Sequence, residues 1–306
     1  MEETEEDTEE DTDSRRLFCF GLGYTARALA DELLAAGWTV AGTCRTDDKR
    51  ATLRARGIEA FAFDRGRPLE DPAGALTGVT HLLNSVPPDA AGDAVIDHHG
   101  GDLAALSKGR GGPRWIGYLS TTGVYGDRGG GWVDEGSELR PTGARGRRRL
   151  AAEKAWGELG RGRRTPVHIF RLAGIYGPGR SALDAVRAGR ARRIHKPGQV
   201  FSRIHVADIA RVLRASMDRP NPGAVYNVCD DAPAPPAEVV AFACALLGVE
   251  PPPLVPFEAA ELTETQRSFY ADNKRVKNAR IKEELGVRLE YPDYKAGLKA
   301  LLAAGG

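Results

Sequence analysis

The sequence predicts an α/β fold, a Rossmann-type doubly wound parallel sheet followed by a small C-terminal part of different character. Three observations carry that prediction. From Arg15 onward, short apolar runs alternate with segments of helical spacing. A Gly21-x-Gly23-x-x-Ala26 turn stands between the first apolar run and the first helical segment. After Asp231 the composition turns Pro-rich and helical, which marks a change of character.

Leu17–Phe20 reads as the first strand, and Ala26, Leu29, Ala30, Leu33 and Leu34 recur at helical spacing until Gly37 closes the helix. Trp38–Cys44 is the second strand, Lys49–Arg56 a short helix and Ile58–Phe63 the third strand. Thr80–Val86 is a fourth strand, stopped by Pro87-Pro88. A helix over Asp93–Leu106 leads to a fifth strand at Trp115–Ser120. The next crossover helix spans Arg147–Gly160, and the sixth strand spans Val167–Leu172. Ser202–Val206 leads into a helix from Asp208 to Met217, followed by a late strand at Ala224–Cys229. Helices at Glu238–Leu247 and Tyr294–Ala303 fall in the final region. The Gly-, Arg- and Pro-rich stretch Gly174–Gly198 and the change at Asp231 set 15–180 with 202–230 apart from 181–201 with 231–306.

Composition narrows the function classes. Of 306 residues, 42% are hydrophobic and 28% charged, ordinary for a soluble globular chain. No apolar run reaches the roughly 18 residues of a membrane-spanning helix, and the N-terminus lacks a signal peptide's pattern. Residues 1–14 carry nine acids and no base, a composition expected to be disordered. Cys19, Cys44 and Cys229 sit in apolar runs and no C-x-x-C pair occurs, which points to a reducing compartment, most simply the cytoplasm. Between Arg140 and Arg203 there are 17 Arg or Lys against three acids, a field that concentrates anions.

The glycine turn has the right neighbours, with a strand before it and a helix directly after. Gly21 permits the tight turn, Gly23 lets the backbone approach a diphosphate, and Ala26 lets the helix pack closely. Tyr24 and Thr25 begin the first helical turn, whose free N–H groups and positive dipole end face the phosphates. Cofactor choice depends on the end of the second strand, where an acid would serve the ribose 2′-hydroxyl of NAD. Arg45 stands there instead, with Lys49 and Arg50 behind it, and favours the 2′-phosphate of NADP. Asp47 and Asp48 are the opposing residues. Ser85, ending the fourth strand, is placed beside the cofactor by the same topological argument.

The segment Tyr118-Leu-Ser-Thr-Thr-Gly-Val-Tyr-Gly126 resembles the S-[ST]-x-x-V-Y-G strand end of the extended, atypical short-chain dehydrogenase/reductase family, the group of the NAD(P)-dependent epimerases and dehydratases. Arg171-Leu-Ala-Gly-Ile-Tyr-Gly-Pro-Gly179, Arg203-Ile-His-Val-Ala-Asp208 and Tyr226-Asn227-Val228 extend the resemblance in order. The resemblance implies a Rossmann-type dinucleotide-binding domain at 15–180 with 202–230, a small C-terminal substrate-binding part at 181–201 with 231–306, and a Tyr-x-x-x-Lys pair that exchanges a proton while hydride moves. Here Arg145 and Arg149 stand at those positions, and arginine stays protonated near neutral pH. Arg149 can still hold a ribose hydroxyl or a phosphate. Thr121 falls on the family's Ser/Thr position, and Tyr125 is the nearest tyrosine; these are the two catalytic candidates. Asp64 stands where relatives contact adenine, and Arg180 and Arg203 fall in segments that border the family's substrate site.

Asp97-His98-His99 forms no expected metal site, because adjacent helical residues point about 100° apart. Asp208 is expected to cap the helix that follows it. Two function classes stay open. One is an NADP-dependent oxidoreductase or epimerase on an anionic small molecule such as a nucleotide sugar; the other is a non-catalytic NADP-binding redox sensor or scaffold. RNA binding through the basic stretch ranks last, and no membrane partner is expected.

Overall fold

The computed structural model describes residues 15–108, 112–161, 167–221 and 223–305. The acidic segment 1–14 lies outside the described residues. In β1 (Arg16–Phe20) successive side chains enter different cores: Leu17 and Cys19 join one cluster, Phe18 and Phe20 the other. Both faces are thus covered, as a parallel sheet requires. The helix α1 (Tyr24–Ala35) ends as expected at Gly37, whose φ is 79° and whose N–H bonds the Leu34 carbonyl at 3.0 Å. Next come β2 (Thr39–Cys44), α2 (Asp47–Arg54) and β3 (Glu59–Ala62). Ile58 and Phe63 are buried yet flank the β3 ladder, so the apolar run is longer than the strand.

A short α3 (Pro72–Leu76), capped by Asp71, precedes β4 (His81–Asn84) and α4 (Ala94–Leu106). Its five residues are too few for a periodicity to be read. β5 (Trp115–Thr121) runs into a single 3-10 turn at Thr122–Tyr125, then β6 (Trp132–Val133). The crossover helix α5 (Ala144–Gly160) starts three residues before the expected Arg147. It is followed by β7 (Val167–Leu172), β8 (Gly174–Tyr176), α6 (Ala182–Arg187) and β9 (Arg193–His195). Then come β10 (Arg203–His205), α7 (Val206–Asp218) and β11 (Val225–Val228). The chain finishes with α8 (Pro236–Leu247), β12 (Leu254–Pro256), α9 (Glu264–Phe269), β13 (Arg275–Val276), α10 (Ala279–Glu283) and α11 (Tyr294–Ala303).

Seven parallel strands form the central sheet in the order β11-β7-β5-β4-β1-β2-β3. The chain first steps outward from β1 to β3, then crosses back to β4. The switch point between β1 and β4 therefore opens a crevice at the strands' C-terminal ends. One face is covered by α1 and α7 through Leu29, Leu33, Ile209 and Leu213. The opposite face is covered by α4 and α5 through Val95, Leu103 and Trp156. Away from the sheet, Leu183 of α6, Val239 of α8 and Leu298 of α11 make a smaller core. Short parallel pairs join distant segments: β8 with β10, β9 with β12, and β6 with β13. Among the described residues no helix is long and apolar enough to cross a membrane.

The cap of α7 differs from expectation. His205 is the N-cap, its side chain accepting the Ala207 N–H at 3.3 Å, and Asp208 already lies inside the first turn. Asp208 instead accepts the N–H groups of Glu290 at 2.8 Å and Tyr291 at 3.0 Å. A helix's own cap is local, whereas this clamp ties the helix to a segment some 80 residues later. The histidines of α4 also serve packing: His99 accepts the Leu69 N–H at 3.1 Å, and His98 bonds the Arg65 carbonyl at 2.9 Å.

Candidate functional site

A cleft of about 500 Å³ opens at the switch point, lined by Gly21, Gly23, Arg45, Asp64 and Ser85 among others. The turn is held from beneath by Thr43, whose hydroxyl accepts the Gly21 N–H at 2.8 Å. Gly21 has φ 81°, and a Cβ there would come within 2.9 Å of Val86 Cγ2. At Gly23 an added Cβ would meet only the Gly21 carbonyl, 3.9 Å away, so the backbone is open to a ligand. No side chain caps α1 and no acid stands in its first turn, which leaves its N–H groups and positive end for a phosphate. The other long helix beside the cleft, α4, is capped by Asp93 through Val95 and Ile96.

Thr25 and Ala26 are buried under the turn, so they offer a ligand backbone rather than side chain. The Tyr24 hydroxyl donates to the Pro178 carbonyl at 3.1 Å and links the turn to the loop after β8. Arg45 is exposed on the rim, its carbonyl held by Arg67 at 2.7 Å. Lys49 also lines the cleft. Burial, and then the Arg27 and Arg45 guanidinium groups, push its ammonium below the ordinary lysine value. Among the described residues no carboxylate pairs with Arg27, Arg45 or Lys49. Asp47 pairs with Arg50 at 2.9 Å and Asp64 with Arg67 at 3.7 Å, while Asp47 and Asp48 stay off the cleft wall.

A second cavity of about 390 Å³ lies beyond the ends of β5 and β7, with Thr121, Gly123, Tyr176, Arg203, Phe269 and Lys274 in its wall. Thr121 Oγ accepts the Gly123 N–H at 3.2 Å, which fixes the 3-10 turn. Next to that turn, Gly146 of α5 approaches so closely that a Cβ would lie 2.8 Å from the Gly123 carbonyl oxygen. Arg145, at the expected tyrosine position, is exposed and its guanidinium lies 5.1 Å from the Phe269 ring centroid. Arg149 lines neither cavity. It donates to the Leu119 carbonyl and to the Tyr118 hydroxyl at 3.4 Å.

Tyr125 also lines neither cavity. Its buried hydroxyl donates to Asn227 Oδ1 at 2.7 Å and accepts from Arg171 at 2.9 Å. Arg171 in turn pairs with Glu153 at 2.8 Å, and Ser120 donates to the same carboxylate. These contacts make Tyr125 part of the floor under the cavity. All eight tyrosines of the chain stand above the ordinary phenol value, burial being the first cause in each. None has the lowered value that proton exchange by a phenol requires.

Arg203 donates to the Phe201 carbonyl at 2.9 Å and the Ala234 carbonyl at 3.0 Å. Behind it Asp230 is buried, and burial pushes its carboxyl up to about 8 despite the guanidinium. Arg180 stacks 5.7 Å from the Tyr24 ring centroid and shares a crevice of about 140 Å³ with Arg203, Tyr176 and Tyr294. Sequence reasoning missed Lys274 and Asp272, which pair at 3.2 Å on the cavity wall. No local motif marks either residue, and their place follows from the pairing of β13 with β6.

Comparison with known proteins places the chain in a family. The model of the NAD dependent epimerase/dehydratase family matches residues 21–229, and the chain belongs to that family. It is 30% identical over 286 residues to Protein YeeZ of Escherichia coli (strain K12), covering 91% of this chain and 97% of that one. Among solved structures, a functionally unknown conserved protein from Silicibacter pomeroyi DSS is 53% identical with a TM-score of 0.87, covering 95% of this chain and 99% of that one. MoeE5 in complex with UDP-glucose and NAD has a TM-score of 0.76 at 19% identity, covering 95% of this chain and 98% of that one, a likeness of fold.

Proposed function

We propose that this member of the NAD dependent epimerase/dehydratase family binds NADP in the switch-point cleft and acts as an oxidoreductase or epimerase on an anionic small molecule such as a nucleotide sugar. The observation that carries the cofactor choice is the convergence of Arg27, Arg45 and Lys49 without a carboxylate partner. Burial first, and then the crowded cations, lower the lysine's proton affinity, and a phosphate dianion relieves the repulsion where a hydroxyl does not. The diphosphate is assigned to Gly21, Gly23 and the first turn of α1 from Tyr24 to Ala26. Adenine and ribose are assigned to the wall with Asp64 and Ser85. Arg149, turned toward Leu119, is assigned no cofactor contact. When bound, the nicotinamide supplies hydride transfer. Segments 15–180 with 202–230 are assigned to the cofactor and 181–201 with 231–306 to the substrate, and Arg180 and Arg203, at the borders between them, meet the substrate's anionic group. The four cysteines are free and buried, a state suited to the reducing cytoplasm.

Calorimetric titration with NADPH and NADH tests this reading. Tighter binding of NADPH, weakened by Arg45→Ala and Lys49→Ala, is expected; equal affinity for the two cofactors refutes the assignment. A second reading is a non-catalytic NADP-binding redox sensor or scaffold. Arg145 and Arg149 in place of the Tyr-x-x-x-Lys pair favour it, together with eight tyrosines of raised pKa. Tight NADPH binding without oxidation by a panel of ketones, aldehydes and sugar nucleotides would establish that alternative.

A further inference from the structure

The wall of the Thr121 cavity carries four ionisable heads: Tyr176, Arg203, Asp272 and Lys274. Arg203 is an arginine and holds its proton at any working pH. Tyr176 is raised by burial, then by Asp230, Asp208 and Asp293, and its hydroxyl donates to the Asp293 carbonyl at 3.3 Å. Only the Asp272–Lys274 pair remains able to exchange a proton. An ammonium has three N–H donors. Lys274 directs one to the Gly126 carbonyl at 3.0 Å and one to Asp272 at 3.2 Å. Its third has no acceptor among the described residues. Thr121 is in the same condition, since its Oγ accepts from Gly123 and its hydroxyl proton has no acceptor among the described residues. Two free donors thus belong to one cavity, at the strand end where the family resemblance places the reacting group.

We propose that Lys274 and Thr121 form the subsite for the reacting oxygen of a carbonyl- or alcohol-bearing ligand, with Lys274 as the catalytic proton donor and acceptor. This rests on the oxidoreductase reading above. A reduced nicotinamide held at the Gly21–Ala26 turn would supply the hydride for the carbonyl carbon and be oxidised in doing so. As the carbonyl π pair moves onto oxygen, that oxygen takes a proton from Lys274 Nζ. An O–H bond forms, an N–H bond breaks and a neutral amine remains, which water reprotonates. Thr121 donates to the same oxygen and orients it. Asp272, itself held by the Thr142 hydroxyl, keeps Nζ in position. The charged groups facing Nζ are Asp272 from its own segment, and Asp127 and Arg128 from the loop after β5. Burial is the first cause of a lowered lysine value here, opposed by the two carboxylates and assisted by Arg128. The proton is therefore more readily released than from a surface lysine.

Two experiments test the assignment on the full-length protein with NADPH. In crystals soaked with acetone or with propan-2-ol, the probe oxygen is expected within hydrogen-bond distance of both Thr121 Oγ and Lys274 Nζ. A probe oxygen seated elsewhere, or no probe in the cavity, overturns the subsite. In turnover of a ketone and aldehyde panel, Lys274→Met and Lys274→Arg are each expected to lower kcat about 100-fold or more with NADPH affinity unchanged. The rate of the wild type is expected to fall as pH rises past the Lys274 titration, a limb absent in Lys274→Arg. A smaller fall in kcat, with the limb retained, overturns the proton-donor role. If the probe binds as expected but the wild type turns over no panel member, the subsite stands. The oxidoreductase reading then falls, and the proton-donor role with it.

Discussion

The two cavities of this protein are built by opposite means. The switch-point cleft draws every wall residue from positions 21–94, each at the end of a strand, in the loop that follows it or in the first turn of a helix. The Thr121 cavity collects its wall from four separated stretches, at 121–123, 172–176, 200–203 and 268–276. In the cleft, the order of strands along the chain already dictates which residues meet. In the cavity, a two-residue pairing of β13 with β6 and the Asp208 clamp on Glu290 and Tyr291 bring the C-terminal segment home. A site made from adjacent strand ends is robust because the sheet itself assembles it. A site made from distant stretches depends on a few long-range contacts, each closing a long loop.

The largest expected effect comes from the charged floor of the second cavity. Arg171 and Glu153 are 5% and 4% exposed at the side chain, so Arg171→Met leaves a buried carboxylate unpaired. A loss of about 3–5 kcal/mol in urea-denaturation stability is expected. NADPH affinity of the folded fraction should change far less, and an equal loss at both sites would break the contrast between the cavities.

Two buried groups predict opposite pH responses. At the start of β4, the strand end away from the cleft, burial, assisted by Arg114, Arg15 and Arg214, holds His81 down to about 4. The unfolded chain then binds more protons between about 4 and 6.5, so stability rises with pH across that window, by up to about 3 kcal/mol. Behind Arg203, Asp230 is raised to about 8 by burial, so the native state binds more protons above the ordinary carboxylate range. Its contribution is present at low pH and is lost as pH rises through about 8. Relative to the wild type, His81→Gln should remove part of a stability rise between about 4 and 6.5 in urea midpoints. The rest stays with His205, which burial also holds down to about 4. Asp230→Asn should remove a stability fall between about 4 and 8. An unchanged pH profile in either variant would contradict the assignment.

Smaller still is the expected effect of the long-range clamp. Asp208→Ala removes the acceptor for two backbone N–H groups, at about 1–3 kcal/mol. Hydrogen exchange should quicken in the C-terminal segment before it does in β1 or α1. The mildest expected change is at the cleft rim, where Arg45→Ala should weaken NADPH about 10-fold and leave NADH unaffected. Equal weakening of both cofactors would place the guanidinium elsewhere than at the 2′-phosphate.

The seven-stranded parallel sheet, the helices α1, α8 and α11 and the glycine turn were legible before any coordinates, because periodicity and turn chemistry are local properties. Boundaries moved by one to three residues where apolar runs continue past a ladder, as at Ile58 and Phe63. The three short parallel pairs were not legible, since two or three residues carry no periodicity. Tyr125 shows the same limit: its place in the sequence made it a candidate, and only packing put its hydroxyl on Asn227 and Arg171.

By itself, the sequence determined the fold class, the backbone geometry at Gly21 and Gly23 and the basic end of β2. All of these follow from residue type and spacing along one stretch of chain. Tertiary structure alone decided that Asp208 clamps rather than caps, that Arg149 turns to Leu119, and that Lys274 reaches the wall beside Thr121. Each of those outcomes pairs residues across a long loop, and the free energy that selects them comes from burial and hydrogen bonds that exist only once the sheet has formed.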